Sequence, residues 1–389
     1  MAKRVTGRYA NSSTSGERVE AFVPHPLPPA PPVDLSGRLA VLRDRAHLAL
    51  GRLDMVSALV PDPQLFLYHY VRKEAVLSSR IEGTRSSLSD LMLFEMEEAP
   101  GVPIADVEEV SKYIAALEHG LARLREGFPL SNRLIREIHG VLMTSERGAG
   151  KTPGEFRRTQ NWIGGSRPSN ARFVPPPPEK VMECMGDLEL FLHEPSEDSS
   201  PLIKAGLAHV QFETIHPFLD GNGRVGRLLI TLILVESGIV SQPLLYPSLY
   251  FKQHRTRYYE LLDAVRTHGD WENWMDFFFL ALTETANDAV DRVQRIRALV
   301  EHDTARIHAL GRPGLTAATV HRALQARPLA TVRYLAGATG LSHPTVNSSL
   351  NRLRDLEIVA ELTGRKKGRI FGYRAYMDLL QGDMEEPPG

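Results

Sequence analysis

Cysteine is almost absent. The 389 residues contain one, Cys184. A single thiol closes no intramolecular disulfide and builds no cysteine-ligated zinc or iron–sulfur site within one chain. A reducing, cytoplasmic setting is the expectation. Long apolar runs are missing too. The longest aliphatic stretch, residues 228–235 (LLITLILV), falls far short of the roughly 20 residues that span a bilayer. The opening MAKRVTGRYANSSTSGERVE has basic residues but no apolar segment after them, so no signal peptide is expected. Net charge is nearly zero, with 46 Lys plus Arg against 47 Asp plus Glu. That excludes a chain basic throughout and an acidic disordered one, and leaves room for a local basic patch.

What is present is an ordinary globular composition, 42% hydrophobic and 24% charged, long enough for about two or three domains. Residues 1–20 are polar and read as loose. Residues 24–32 (PHPLPPAPP) read as an extended strap, because proline fixes φ and removes donors. Apolar residues at helical spacing then predict helices over 39–60, 65–79, 87–98 and 107–125, with Ser131 as N-cap of the next. Glycine and proline punctuate residues 150–178, where a small β-hairpin is predicted at 160–174. Helices resume over 179–192 and 203–215, and a strongly apolar one starts within 224–227. Two more follow, over 251–266 and 271–308. The fold class is mainly α.

Residues 311–374 hold eleven Lys or Arg against Asp355, Glu357 and Glu361. Three short helices followed by two β-capable pieces around GRKKG predict a winged helix-turn-helix. Arg352, Arg354 and Lys366 are its candidate DNA contacts, and a protein-docking module is the alternative.

The sharpest feature is residues 216–227, HPFLDGNGRVGR. Gly221, Asn222 and Gly223 leave backbone N–H groups free to face an anion, and the helix that follows adds its dipole. Arg224 and Arg227 share one helical face and can clamp phosphate oxygens. Asp220 can hold a divalent cation bridging phosphates. His216 can accept a proton from an attacking hydroxyl. The string also fits G-x-G-x-x-G, but that fingerprint needs a preceding strand and a helix precedes here. A capping loop with solvated arginines remains the plain alternative.

These residues closely resemble the HPFx(D/E)GNGRxxR signature of Fic-domain proteins, a helical family best known for moving AMP from ATP to a protein hydroxyl. The resemblance implies that His216 is the general base toward a target Ser, Thr or Tyr and that Asp220 is the Mg²⁺ ligand. It implies an anion nest at Gly221, Asn222 and Gly223, and phosphate or nucleotide contacts at Arg224, Gly226 and Arg227. Phe218 is a buried anchor on either reading. Upstream, Ser78-Ser-Arg-Ile-Glu82-Gly83 resembles the family's inhibitory motif, whose glutamate bonds the second arginine, here Arg227. On its own Glu82 would read as a solvated acid.

The hairpin at 160–174 stands where the family has its target-holding flap, with Ile163, Gly164 and Gly165 as candidate contacts or simply a glycine turn. Tyr258 is a candidate to flank adenine, or a core residue. His209 reads as structural. The expected division is an N-terminal arm (1–38), a helical region with the inhibitory motif (39–125), a Fic catalytic core (126–285), a connecting helix (286–310) and the winged domain (311–380).

The expected function is an ATP- and Mg²⁺-dependent protein adenylyltransferase restrained by Glu82. The resemblance leaves room for self-modification and a homodimer. The alternatives are removal of AMP from a modified target, and a DNA-binding regulator whose Fic core senses nucleotide.

Overall fold

The computed structural model describes residues 4–14, 16–59, 63–96, 101–145, 148–194, 200–365 and 368–382. Two antiparallel strands come first, β1 (Gly7–Thr14) and β2 (Glu17–Pro24), so the expectation of a loose N-terminus is corrected. The signal was hidden because β1 is polar. Only β2 turns an apolar row inward, with Val19, Ala21 and Val23 buried. The proline strap then crosses the body, with Leu27 buried and the His25 carbonyl accepting from Gln211 Nε2 at 2.9 Å.

Helices α1 (Arg38–Leu59), α2 (Pro63–Ile81), α3 (Leu88–Phe94), α4 (Ile104–Arg125) and α5 (Asn132–Leu142) follow. Their starts are local chemistry. Ser87 and Asp90 form a reciprocal cap on α3, and Ser131 Oγ accepts from Leu134 N–H on α5. After the glycine- and proline-rich segment come α6 (Pro178–His193), α7 (Pro201–Ile215) and α8 (Asn222–Glu236). Cys184 lies buried on α6, where burial pushes its thiol up to about 11 and leaves it unreactive.

Both α7 and α8 are buried on every side over most of their length, the mark of central helices. They pack on each other, with α4 and α5 along one flank. The outer shell is α9 (Ser248–Gln253), α10 (Arg255–His268) and α11 (Trp271–His308). α11 runs unbroken through residue 285, so the expected core and connecting helix share one rod, against which α1 packs.

The last unit holds α12 (Gly314–Ala326), β3 (Leu329–Thr331), α13 (Val332–Thr339), α14 (His343–Asp355), β4 (Ala360–Glu361), β5 (Ile370–Gly372) and α15 (Arg374–Gln381). Its sheet order is β3-β5-β4, antiparallel throughout. β3 escaped the sequence reading because three residues carry too little period. The unit is tied to α11 by Tyr373, whose hydroxyl donates to Asp303 Oδ2 at 2.7 Å. Among the described residues no helix is long and apolar enough to cross a membrane.

Candidate active site

The chain leaves α7 through His216, which has φ 49° and ψ 59°, a left-handed conformation unusual for a residue with a Cβ. The turn brings the imidazole to two adjoining clefts, both of which it lines. Its Nδ1 is enclosed without a hydrogen-bond partner. Burial pushes its pKa down to about 4, Arg157 adds to the shift, and Glu82 opposes it. The ring is therefore neutral at neutral pH and can accept a proton.

The loop beyond His216 is held from inside. Phe218 is fully buried and stacks on His139, ring centroids 3.7 Å apart and planes 4° from parallel. Asn222 clasps the same residue. Its Oδ1 accepts from Phe218 N–H and its Nδ2 donates to the Phe218 carbonyl, both at 2.8 Å. The Asn222 side chain is thus engaged by the loop, and what it offers an anion is its backbone.

α8 begins at Asn222, ahead of the expected start within 224–227. The N–H groups of Asn222, Gly223 and Arg224 form its first turn, where none has an intrahelical acceptor. A loop ending on such a turn is an anion cradle. Gly226 lies elsewhere. Its carbonyl accepts from His209 Nδ1 at 2.9 Å, and a Cβ there would stand 2.5 Å from Glu213 Oε1. Gly226 therefore lets α7 and α8 approach closely and does not face the cradle.

Charges surround the cradle in pairs. Arg224 Nη1 donates to Glu109 Oε2 at 3.2 Å, and Nη2 lies 3.7 Å from Asp220 Oδ1. Arg227 is fully buried. Its Nε donates to Ser78 Oγ at 2.8 Å, and its Nη2 to the Ser78 carbonyl at 3.0 Å and to Glu82 Oε1 at 2.6 Å. Burial would raise the Glu82 pKa, but Arg227, then Arg224 and His216, hold it below the usual carboxylate value. Glu213, one turn before His216, goes the other way: burial pushes it up to about 7, against the pull of Arg227.

Glu82 stands between the two clefts. The larger, about 380 Å³, is lined by Glu109, Asp220, Gly221, Asn222 and Arg224 among others. The smaller, about 150 Å³, is lined by Ile163, Arg172, Glu213, Arg227, Tyr259 and Arg266 among others. Glu82, His216 and Gly223 line both.

The predicted hairpin at 160–174 is reduced to one antiparallel bridge, Ile163 to Phe173. Gly164 and Gly165 turn the chain at φ 70° and 74°, and a short 3₁₀ turn at Pro168–Asn170 replaces further pairing. The N-terminal hairpin braces this segment. Phe22 N–H donates to the Val174 carbonyl at 2.9 Å, and Ser12 Oγ to Gln160 Oε1 at 2.8 Å.

Tyr258 lies in the core. Its ring stacks on Phe251, and its hydroxyl donates to His209 Nε2 at 2.8 Å, the tautomer set by His209 Nδ1–H on the Gly226 carbonyl. It reaches the smaller cleft beside the more open Tyr259. His209 is structural, as read. Lys366 lies outside the described residues.

Sequence reasoning missed four contributors. Arg157, His139, Glu109 and Glu213 touch the motif from outside it. His139 accepts from Gly154 N–H at Nδ1 and so donates from Nε2 to the Asp220 carbonyl at 3.1 Å. Its sole sequence signal was a histidine on an apolar helical face.

The residues present fit a Mg²⁺ ion. Mg²⁺ takes one or two carboxylates and completes its shell with water and substrate phosphates. Asp220, half exposed in the larger cleft beside the cradle, is a donor of that kind. Among the described residues no cluster of three or more ligands forms an all-protein metal cage, and this ion needs none.

A helical body turns a histidine, an acidic loop and two arginines around a helix N-terminus, an arrangement with the chemistry to bind phosphate. Comparison makes it particular. Residues 129–234 match the Fic/DOC family model and residues 41–122 match that of the Fic/DOC family N-terminal region. It is 33% identical over 213 residues to the protein adenylyltransferase Fic of Drosophila grimshawi, covering 54% of this chain and 39% of that protein. Against the protein of the same name from Culex quinquefasciatus it is 38% identical over 126 residues, 32% of this chain and 22% of that one.

The chain thus spans well under half of these relatives' length. A Fic family protein from Desulfovibrio desulfuricans G20 shares the fold over 88% of this chain and 97% of that one, at TM-score 0.58 and 22% identity. Fic-1 from C. elegans aligns over 65% of this chain and 71% of that one, at TM-score 0.52 and 26% identity.

Proposed function

We propose that the chain is a protein adenylyltransferase restrained by Glu82. The observation that carries this reading is the Glu82 carboxylate, lodged between the two clefts, bonded to Arg227 and pressed against Gly223. Glu82, His216 and Gly223 line both clefts, so withdrawing that carboxylate would open the wall the clefts share beside the helix N-terminus.

A nucleoside triphosphate in the opened space has its phosphates over the first turn of α8, where Arg224 and Arg227 can clamp them. The hydroxyl oxygen of a target Ser, Thr or Tyr attacks the α-phosphorus. The new O–P bond forms as the bond from that phosphorus to the departing diphosphate breaks. The hydroxyl proton passes to His216 Nε2, the ring nitrogen left open when Nδ1 is enclosed. Mg²⁺ on Asp220 supplies charge neutralisation to the phosphates when bound. An extended target segment along Ile163–Gly165 would bring its hydroxyl into line by main-chain hydrogen bonds. While Glu82 stays on Arg227, that guanidinium is closed to the terminal phosphate.

The test uses wild type, Glu82→Gly and His216→Ala with Mg²⁺ and ATP labelled at the α-phosphate, alone and with cell lysate. The reading expects strong labelling with Glu82→Gly, weak with wild type and none with His216→Ala. Self-labelling is read from the same gel. If every folded, ATP-binding variant leaves protein unlabelled, the transferase reading fails, and release of AMP from modified protein becomes the reaction to assay.

A second reading concerns residues 311–380, which we interpret as a winged helix-turn-helix. Arg369, next to β5, donates from Nη2 to Asn347 Oδ1 on α14 at 2.7 Å, and Ser348, Asn351 and Arg354 are exposed along that helix. A polar helix bonded to an arginine beside the neighbouring strand is suited to duplex DNA, with α14 in the major groove.

A further inference from the structure

A buried guanidinium usually has a carboxylate partner. Among the described residues Arg157 has none. It lies between α5 and α6 in the chain, is 2% exposed, and donates to backbone carbonyls. Its Nε reaches the His216 carbonyl at 2.9 Å. Its Nη2 reaches Pro176 at 2.6 Å and Ile215 at 3.4 Å, and its Nη1 reaches Thr159 at 3.3 Å. Its backbone N–H donates to the Pro217 carbonyl at 2.8 Å. Three consecutive carbonyls, 215 to 217, therefore end on one residue. They close α7, where carbonyls lack intrahelical donors and the helix dipole is negative. A cation there offsets both.

We propose that Arg157 is a positioning residue for His216, fixing the left-handed turn and the aim of the imidazole through the carbonyls of residues 215–217. This rests on reading His216 as the proton acceptor. The turn at φ 49° is disfavoured for any residue with a Cβ and persists only where its surroundings impose it. Arg157 makes the polar contacts that do so. The charged groups facing the ring are Arg157 from the 150–178 segment, Glu82 from the end of α2 and Arg266 from α10, with the Glu213 carbonyl on its own helix. Burial is the main cause that keeps the ring uncharged, and the Arg157 charge adds to it. Arg157 touches no reacting atom.

The experiment compares Arg157→Lys and Arg157→Met in the Glu82→Gly background. Three quantities are read: labelled transfer as kcat and KM, ATP affinity by calorimetry, and the His216 ring titration by carbon-labelled histidine NMR, assigned with His216→Gln. Arg157→Met should lower kcat at least about tenfold with ATP affinity within about twofold. Its His216 midpoint should rise by about half to one pH unit. Arg157→Lys, able to reach one carbonyl, should recover part of both.

An unchanged kcat and an unchanged His216 titration in folded Arg157→Met would overturn the proposal. If Arg157→Met does not fold, Arg157→Lys decides by the same two readouts. If the Glu82→Gly parent transfers nothing, the adenylyltransferase reading is what has failed. The His216 titration, which needs no activity, then decides the role of Arg157 alone.

Discussion

Glu82 Oε1 stands where a Cβ on Gly223 would have to be: the two would be 2.2 Å apart. The Glu82 carboxylate thus occupies the space above the first turn of α8 that only glycine leaves open, and it holds Arg227 from there at 2.6 Å. One oxygen covers the cradle and one guanidinium together. A negative group is at home at a helix N-terminus, which favours the closed arrangement further.

The first prediction separates charge from shape. Glu82→Gln keeps an acceptor for Arg227 and loses the charge. Charge-assisted bonds are about twice as strong as neutral ones, so basal transfer with Glu82→Gln should fall between wild type and Glu82→Gly. Equal rates for Glu82→Gln and wild type would mean that occupancy of the space, and not charge, restrains the enzyme.

The flap gives a second. Gly165 sits at φ 74°, and a Cβ there would meet the Asn170 carbonyl at 2.4 Å. Gly165→Ala should disturb the turn behind Ile163. In the Glu82→Gly background it should lower transfer to protein severalfold while ATP affinity, by calorimetry, stays put. Loss of ATP binding instead would show that the turn serves the nucleotide.

Tyr258 and Tyr259 should part company. Tyr258→Phe leaves buried His209 Nε2 without its donor, a loss of about 1–3 kcal/mol in stability, with ATP affinity unaffected. Tyr259→Ala, on the rim of the smaller cleft, should weaken ATP binding and leave the urea midpoint near that of wild type.

Acid should destabilise the fold between pH 6.5 and 5. Burial holds His69, His139, His216 and His321 down at about 4 and His209 at about 3, so the unfolded chain takes up these protons first. Glu74 and Glu213, raised to about 7, act in the opposite sense, because the folded chain binds their protons first. Five outweigh two. Stability present above pH 6.5 is then lost as pH falls, at roughly 1.4 kcal/mol per pH unit for each uncompensated group. Urea midpoints at pH 7, 6 and 5 should fall in that order; a flat series would mean these rings are solvated.

If the last unit holds duplex DNA, affinity should fall steeply with salt, and Arg352→Ala or Arg354→Ala should each reduce the logarithmic salt slope by about one. Weak binding indifferent to salt would point to protein docking instead.

Much of the site was legible because its chemistry is contiguous. Glycines, Asp220 and two arginines within the eight residues 220–227 suggest an anion cradle by their spacing. Glu82 was singled out only because its short motif resembles the family's and stands beside the 216–227 signature; alone it would have read as a solvated acid. Arg157 and His139 were not legible, because a single arginine in a loop and a single histidine on an apolar face have no pattern; their roles exist only once distant segments meet. Tyr258 was ambiguous for a related reason: helical spacing says which face a ring lies on and not which partner it stacks against. The long helix 271–308 was read to the residue, since its period is sustained. The N-terminal hairpin was missed, since half of its pattern faces water.

α2 has a contact at either end. Ser78, one turn before its last residue, grips Arg227, and Glu82 follows immediately. Toward its start, His69 donates from Nε2 to the Gln325 carbonyl of α12 at 3.3 Å and packs edge-on against Tyr376 of α15. A 19-residue helix is a stiff rod of roughly 28 Å, seated at one end in the phosphate cradle and at the other in the C-terminal unit. On the proposed reading, trimming the chain after residue 310 would remove one seat of the rod that leads to Glu82, and a shortened protein would report on a released brake as much as on a missing domain.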